Sequence, residues 1–182
     1  MQSLMIRIST LLLITSLFFI PAAHAVSKAE INAGVRATMF IFYSQVKVGK
    51  ELAGKSAGIL VFPDVHKPGF GIGGAFGEGT LLEGGKTTGY YSTTTASVDL
   101  HIGAYAPSEI IMFMTRHALN AFKASNRWKT GVDGSVALVT IGAGGKINTN
   151  TTNHPIIGFI FSNEGVLYNL TFEGSEITKI KK

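Results

Sequence analysis

The sequence predicts an α+β fold: an antiparallel, glycine-rich β-sheet, closed as a sandwich or a partly closed barrel, packed by an N-terminal helix and one internal helix. Three observations carry this. An S-x-x-E capping box followed by an apolar stripe opens a helix just after residue 26. Fifteen of the 22 glycines fall between Gly69 and Gly145, interleaved with Thr, Tyr, Phe and Val. Alternating apolar runs joined by Asn163-Glu164-Gly165 close the chain.

Residues 1–25 read as a secretory signal. Arg7 supplies the positive start, Ile8 to Ile20 is apolar apart from small hydroxyl residues, Pro21 breaks the helix, and Ala23-His24-Ala25 presents small residues to a signal peptidase. The apolar run is about 13 residues, too short for a hydrocarbon core of about 30 Å. Cleavage is expected before Val26, an uncleaved anchor being the alternative, and the domain is expected over 26–182. That segment holds one of the 16 Lys+Arg and none of the 11 Asp+Glu, so the remainder carries +4. About 150 residues suffice for one core without staples. The chain has no cysteine, hence no disulfide framework and no lipidation site, and a periplasmic or secreted soluble protein is expected.

Ser27 and Glu30 form the capping box, and Ile31, Val35, Met39, Phe42 and Val46 lie on one helical stripe to about Tyr43 or beyond. A turn at Gly49 and Gly54 leads into a buried strand, Gly58 to Phe62, closed by Pro63. Strands follow at about 69–82, 86–95, 97–104 and 134–142. A helix after Pro107-Ser108 takes Ile110, Ile111, Met114, Ala118, Ala121 and Phe122 as its apolar face. Ile156 to Phe161 and Val166 to Phe172 read as a closing hairpin.

In the first glycine-rich strand one face is almost bald: Gly69, Gly71, Gly73, Ala75, Gly77 and Gly79. Glycine weakens a strand unless something approaches its backbone closely. A helix or Trp128 lying flat on this face is one reading; an acyl chain is the other.

Motifs with catalytic associations fail on context. Gly49 to Ser56 fits G-x-x-x-x-G-K-S, but a helix precedes it and a strand follows, the reverse of a phosphate-binding loop, and Glu51 would face phosphate. Gly69 to Gly74 fits G-x-G-x-x-G, yet no helix begins at its end. His66, His101, His117 and His154 show no metal-ligand spacing, and His101 beside Asp99 reads as a solvated strand face. Ser135, His117 and Asp133 make an arbitrary triad, and Asp133-Gly134-Ser135 is better read as a turn. No catalytic site, cofactor, metal or nucleotide is expected. The basic clusters at Lys47–Lys55, Lys123–Lys129 and Lys179–Lys182 are too sparse for nucleic acid.

Arg36, Phe40, Tyr43 and Lys47 form a basic and aromatic ridge on the first helix, roughly opposite the apolar stripe. Such a ridge suits an anionic bilayer interface, where rings sit at headgroup level and cations meet phosphate; otherwise it covers a neighbouring loop.

The run Ala57-Gly58-Ile59-Leu60-Val61-Phe62-Pro63-Asp64-Val65-His66-Lys67-Pro68-Gly69-Phe70-Gly71-Ile72-Gly73-Gly74 closely resembles the signature of SYLF-domain proteins. Thr88 to Ser92, Asn126 to Ala137 and Leu170 to Ile177 resemble later blocks of that family. The resemblance implies a binding module and not an enzyme, one that engages membrane lipids, in eukaryotic members phosphoinositides and in some of them actin filaments. The chain also resembles the many exported bacterial members; the signal and the lack of SH3 or FYVE domains depart from the eukaryotic pattern, and the lack of cysteine departs from lipoprotein members. The expected partner is an anionic or acyl lipid, held by Arg36, Phe40, Tyr43, Lys47, Lys50, Lys55 and Lys67; the second reading is an envelope or secreted protein-interaction module.

Overall fold

The computed structural model describes residues 26–66, 74–95, 107–139, 153–162, 165–166 and 172–182. Helix α1 (Lys28–Gln45) starts where the capping box puts it: the Ser27 hydroxyl accepts from the Glu30 amide, and the Glu30 carboxylate accepts from the Ser27 amide. Together they satisfy two amides that a helix start leaves free. Gly49 to Lys55 forms a second short helix, α2 (Gly49–Lys55), and not the turn expected there. Glycine suits its first position because a Cβ on Gly49 would lie 2.8 Å from the Phe42 ring, so α2 begins in contact with α1.

The strands are β1 (Gly58–Phe62), β2 (Val65–His66), β3 (Ala75–Glu83), β4 (Lys86–Thr95), β5 (Ser108–Phe113), β6 (Arg127–Lys129), β7 (Ala137–Leu138), β8 (Ile156–Ser162), β9 (Gly165–Val166) and β10 (Ser175–Ile180). They form one curled sheet in the order β6-β10-β4-β3-β1-β5-β8-β7, with β2 on β3 and β9 on β8. All pairs are antiparallel except β7 with β8.

Apolar side chains fill both faces of the central strands. On one face, Ile59, Val61, Ile110, Met112, Ile157 and Phe159 pack beneath the α1 stripe. On the other, Leu60, Phe62, Ile111 and Phe113 meet Trp128 and helix α3 (Arg116–Ala124) through Leu119 and Phe122. The alternation along β1 and β5 is the period-2 geometry of a strand buried on both sides.

Several expectations are corrected. The helix expected after Ser108 starts only at Arg116, capped by Thr115. Ile110 and Ile111 instead lie on β5, in register with Val61 and Leu60 of β1. A run of β-branched and aromatic residues serves a doubly buried strand better than a helix, and periodicity alone does not separate the two. Of the strand expected over 134–142, Ala137–Leu138 pairs, in parallel with β8. The first glycine-rich strand begins at Ala75 among the described residues; 69–73 and 97–104 lie outside them. The closing hairpin corresponds to β8 with β9, residues 167–171 lying outside the described set, and β10 follows it without having been foreseen.

Candidate functional site

Each member of the ridge on α1 follows a member of the buried stripe by one residue, about 100° further round the helix. The ridge therefore flanks the stripe and is not opposite to it, and the structure uses this placement. Val35 and Met39 from the stripe, and Arg36, Phe40 and Tyr43 from the ridge, line one side of a groove of about 940 Å³. Lys50, Ala53, Gly54 and Ser56 line it from α2 and its C-terminal end, Gly58 and Ile59 from the start of β1. The β3–β4 hairpin completes it with Leu82, Gly84, Gly85 and Thr87.

Local chemistry fixes these walls. The hairpin turns at Gly84 and Gly85, with φ of 57° and 78°, a conformation that side chains with a Cβ rarely adopt. Asn32 on α1 donates to the Tyr90 hydroxyl at 3.0 Å and accepts from the Thr87 hydroxyl at 3.1 Å, stitching the helix to β4. Phe42 anchors the helix from below, its ring 4.8 Å from that of Phe159 in an edge-on contact. Partial burial raises the Tyr43 hydroxyl above its ordinary pKa, so it remains a neutral donor at physiological pH.

The electrostatics are one-sided. Among the described residues Arg36 and Lys50 are the charged residues of the lining, and no carboxylate is among them. Neither cation has an ion-pair partner among the described residues. Two nearby carboxylates are engaged elsewhere: Glu51 with Lys55 at 2.6 Å and Glu83 with Lys123 at 2.7 Å. Those bonds hold both glutamates below the usual carboxylate range. Phe40 is 75% exposed, an unusual position for a large ring.

Four of the seven residues that pattern and resemblance nominated for lipid contact, Arg36, Phe40, Tyr43 and Lys50, thus line the same groove. Lys47 is exposed beyond the end of α1, Lys55 is committed to Glu51, and Lys67 lies outside the described residues. The walls from Gly54, Leu82, Gly84 and Gly85 were missed. They converge only through tertiary packing, and no local pattern links them.

Of the bald strand face, Gly77 and Gly79 fall within the described residues; Gly69, Gly71 and Gly73 do not. A Cβ on Gly77 would lie 2.8 Å from the Asp64 carbonyl oxygen, and one on Gly79 would collide with the Val61 carbonyl and the Phe62 ring. The neighbour at these two positions is the chain's own backbone, the end of β1 at Gly79 and the lead into β2 at Gly77. Trp128 does not lie there; it packs against Gly134, where a Cβ would be 2.8 Å from its ring.

The other motifs resolve simply. The G-x-x-x-x-G-K-S stretch is helix α2 and the serine that ends it, with no loop to cradle phosphate. His66 on β2, His117 on α3 and His154 in the bend before β8 are exposed and separate, and His101 lies outside the described residues. Asp133 accepts from the Lys129 amide at 2.7 Å, closing a turn. Among the described residues no group of three or more His, Asp or Glu gathers as a metal site, and no helix is long and apolar enough to cross a membrane.

No curated protein matches the chain. A family model described as "Ysc84: Las17-binding protein actin regulator" matches residues 94–182. The match runs from the end of β4 through β10, and the groove residues, 32–87, precede it. Within it lie Asn126 to Ala137 and Leu170 to Ile177, two of the blocks whose wording resembles the SYLF signature. Over 94–182 the chain is thus similar to the SYLF (Ysc84) family, a family of binding modules, in agreement with the resemblance of those blocks.

Proposed function

We propose that this protein is an exported, non-catalytic module that binds lipid at a membrane surface through the α1–α2 groove face. The observation that carries the reading is the placement of Phe40, 75% exposed, on a groove whose charged lining residues, among those described, are Arg36 and Lys50. A ring that projects into solvent beside unpaired cations suits a bilayer interface, where apolar rings enter the headgroup boundary and cations meet phosphate. Lys47 extends the same basic edge, and Lys55 contributes less because Glu51 neutralises it. Export rests on the composition of residues 1–25.

The test is co-sedimentation with phosphatidylglycerol vesicles. Arg36→Gln with Lys50→Gln is expected to weaken binding by about 1 kcal/mol per cation. Phe40→Ser is expected to weaken it further without loss of the fold. Raising salt from 0.01 M to 0.15 M, which shortens the Debye length from about 30 to about 8 Å, is expected to release the protein. The matched family is described as Las17-binding, a protein partner, which keeps a protein-interaction module as the second reading. Binding to a protein ligand that survives both salt and the charge substitutions would favour it.

A further inference from the structure

The groove has depth as well as a charged edge. Its floor is formed by Val35, Met39 and Ile59, and Leu82 closes it from the hairpin. Four of its wall positions are glycine; a Cβ built on Gly58 would press on Leu119 at 2.9 Å, whereas one on Gly54, Gly84 or Gly85 meets nothing within 4 Å. At Gly84 and Gly85 the positive φ explains glycine. At Gly54 neither a positive φ nor a close neighbour does, although glycine there costs helix stability. What the absent side chain leaves is room. The volume of about 940 Å³ is within the range of small-molecule sites.

We propose, resting on the lipid-binding reading above, that this groove takes a single-chain anionic amphiphile as a discrete ligand, its chain along α1 and its acidic head at Arg36 and Lys50. The charge complementarity is specific to an acidic head: among the described residues the lining holds two cations and no acid, and the neighbouring Glu51 and Glu83 are held by their own lysines. The apolar floor and the space at Gly54 then serve the chain. A contact with a bilayer surface requires the exposed edge alone; a seated chain requires the floor and the empty wall as well.

The test uses the protein in the form that the producing cell leaves it, titrated with decanoate, dodecanoate and tetradecanoate below their micelle concentrations, and with the matching alcohols. Saturable one-to-one binding is expected, tightening about fourfold per added methylene until the groove is filled. The acids should bind more tightly than the alcohols, and Arg36→Gln with Lys50→Gln should abolish that preference. Gly54→Leu, which fills the wall, is expected to weaken the acids at least tenfold, whereas Gly54→Ala is not; unfolding midpoints confirm that both variants fold.

Vesicle binding without one-to-one binding of any acid would overturn the seated chain and leave the surface reading intact. Acid binding unchanged by Gly54→Leu would overturn this site. Acid binding that responds to Gly54→Leu, without vesicle binding, would support the seated ligand and remove the surface reading. Neither kind of binding would remove both.

Discussion

Glu109 lies on β5 opposite Phe62 of β1 and Ile160 of β8, buried, with its Oε2 lacking a hydrogen-bond partner among the described residues. Burial pushes its carboxyl up from 4.5 to about 7. The consequence for stability has a definite sign. Below pH 4.5 the group is protonated in both states and makes no pH-dependent contribution. Between 4.5 and about 7 the unfolded chain ionises while the folded one keeps its proton, so stability falls as pH rises. At about 1.4 kcal/mol per unit the loss is about 3 kcal/mol, constant above pH 7. Glu109→Gln is expected to flatten this slope and to raise the urea midpoint most at pH 8; an unchanged pH profile would count against the assignment. Glycine provides a second contrast. Gly79→Ala forces a methyl against the Val61 carbonyl, and overpacking of this kind costs about 1–3 kcal/mol. Gly54→Ala meets open space inside a helix and is expected to stabilise by up to about 1 kcal/mol. Denaturant melts of the pair test whether close approach, and not glycine content, decides the outcome.

At the scale of elements, legibility followed how local the determining physics is. Helix α1 was readable because its capping box, its stripe and its polar side all sit within a few turns of one another. Strands β1 and β4 were readable from a Pro-closed apolar run and from Thr/Tyr-rich alternation bounded by glycines. The segment from Ser108 to Ala124 was not. Ile110, Ile111, Ala118 and Phe122 fit a helical stripe, but the chain splits them between β5 and α3 because β1 and β8 offer Ile110–Phe113 a paired, doubly buried place. The division falls at Thr115, whose hydroxyl accepts from the Ala118 amide at 3.1 Å. Thr115→Ala should therefore cost about 1 kcal/mol, whereas Thr115→Ser should cost little, as read by thermal unfolding. The same logic divides the candidate site. Its α1 residues were legible as a ridge, while the hairpin wall reaches α1 across 55 residues of sequence, from Asn32 to Thr87, a contact for which one sequence holds no local signal.

At the scale of the whole molecule, the sheet joins distant parts of the chain. The last strand, β10, sits between β6 and β4, so the far end of the chain supplies an interior strand. Just past it, Lys182 donates to Glu78 of β3 at 2.7 Å and to the Val26 carbonyl at 2.9 Å, tying the C-terminal end to the sheet and to the lead-in of α1. The Lys182 and Glu78 side chains are 11% and 17% exposed, so water screens the pair less than it screens Lys55 and Glu51 on the surface. A bond between charged groups in such a setting contributes about 2 kcal/mol. Lys182→Gln is expected to lower stability by about that amount, and Glu78→Gln by a similar amount. The double variant should lose less than the sum, because each substitution removes the same bond. Lys55→Gln, which breaks the exposed pair, should leave stability nearly unchanged. If α1 is held on the sheet through this tie, Lys182→Gln should also speed hydrogen exchange at the start of α1 while leaving β1 and β5 protected. Uniform protection across the helix would instead mean that its apolar stripe holds it in place unaided.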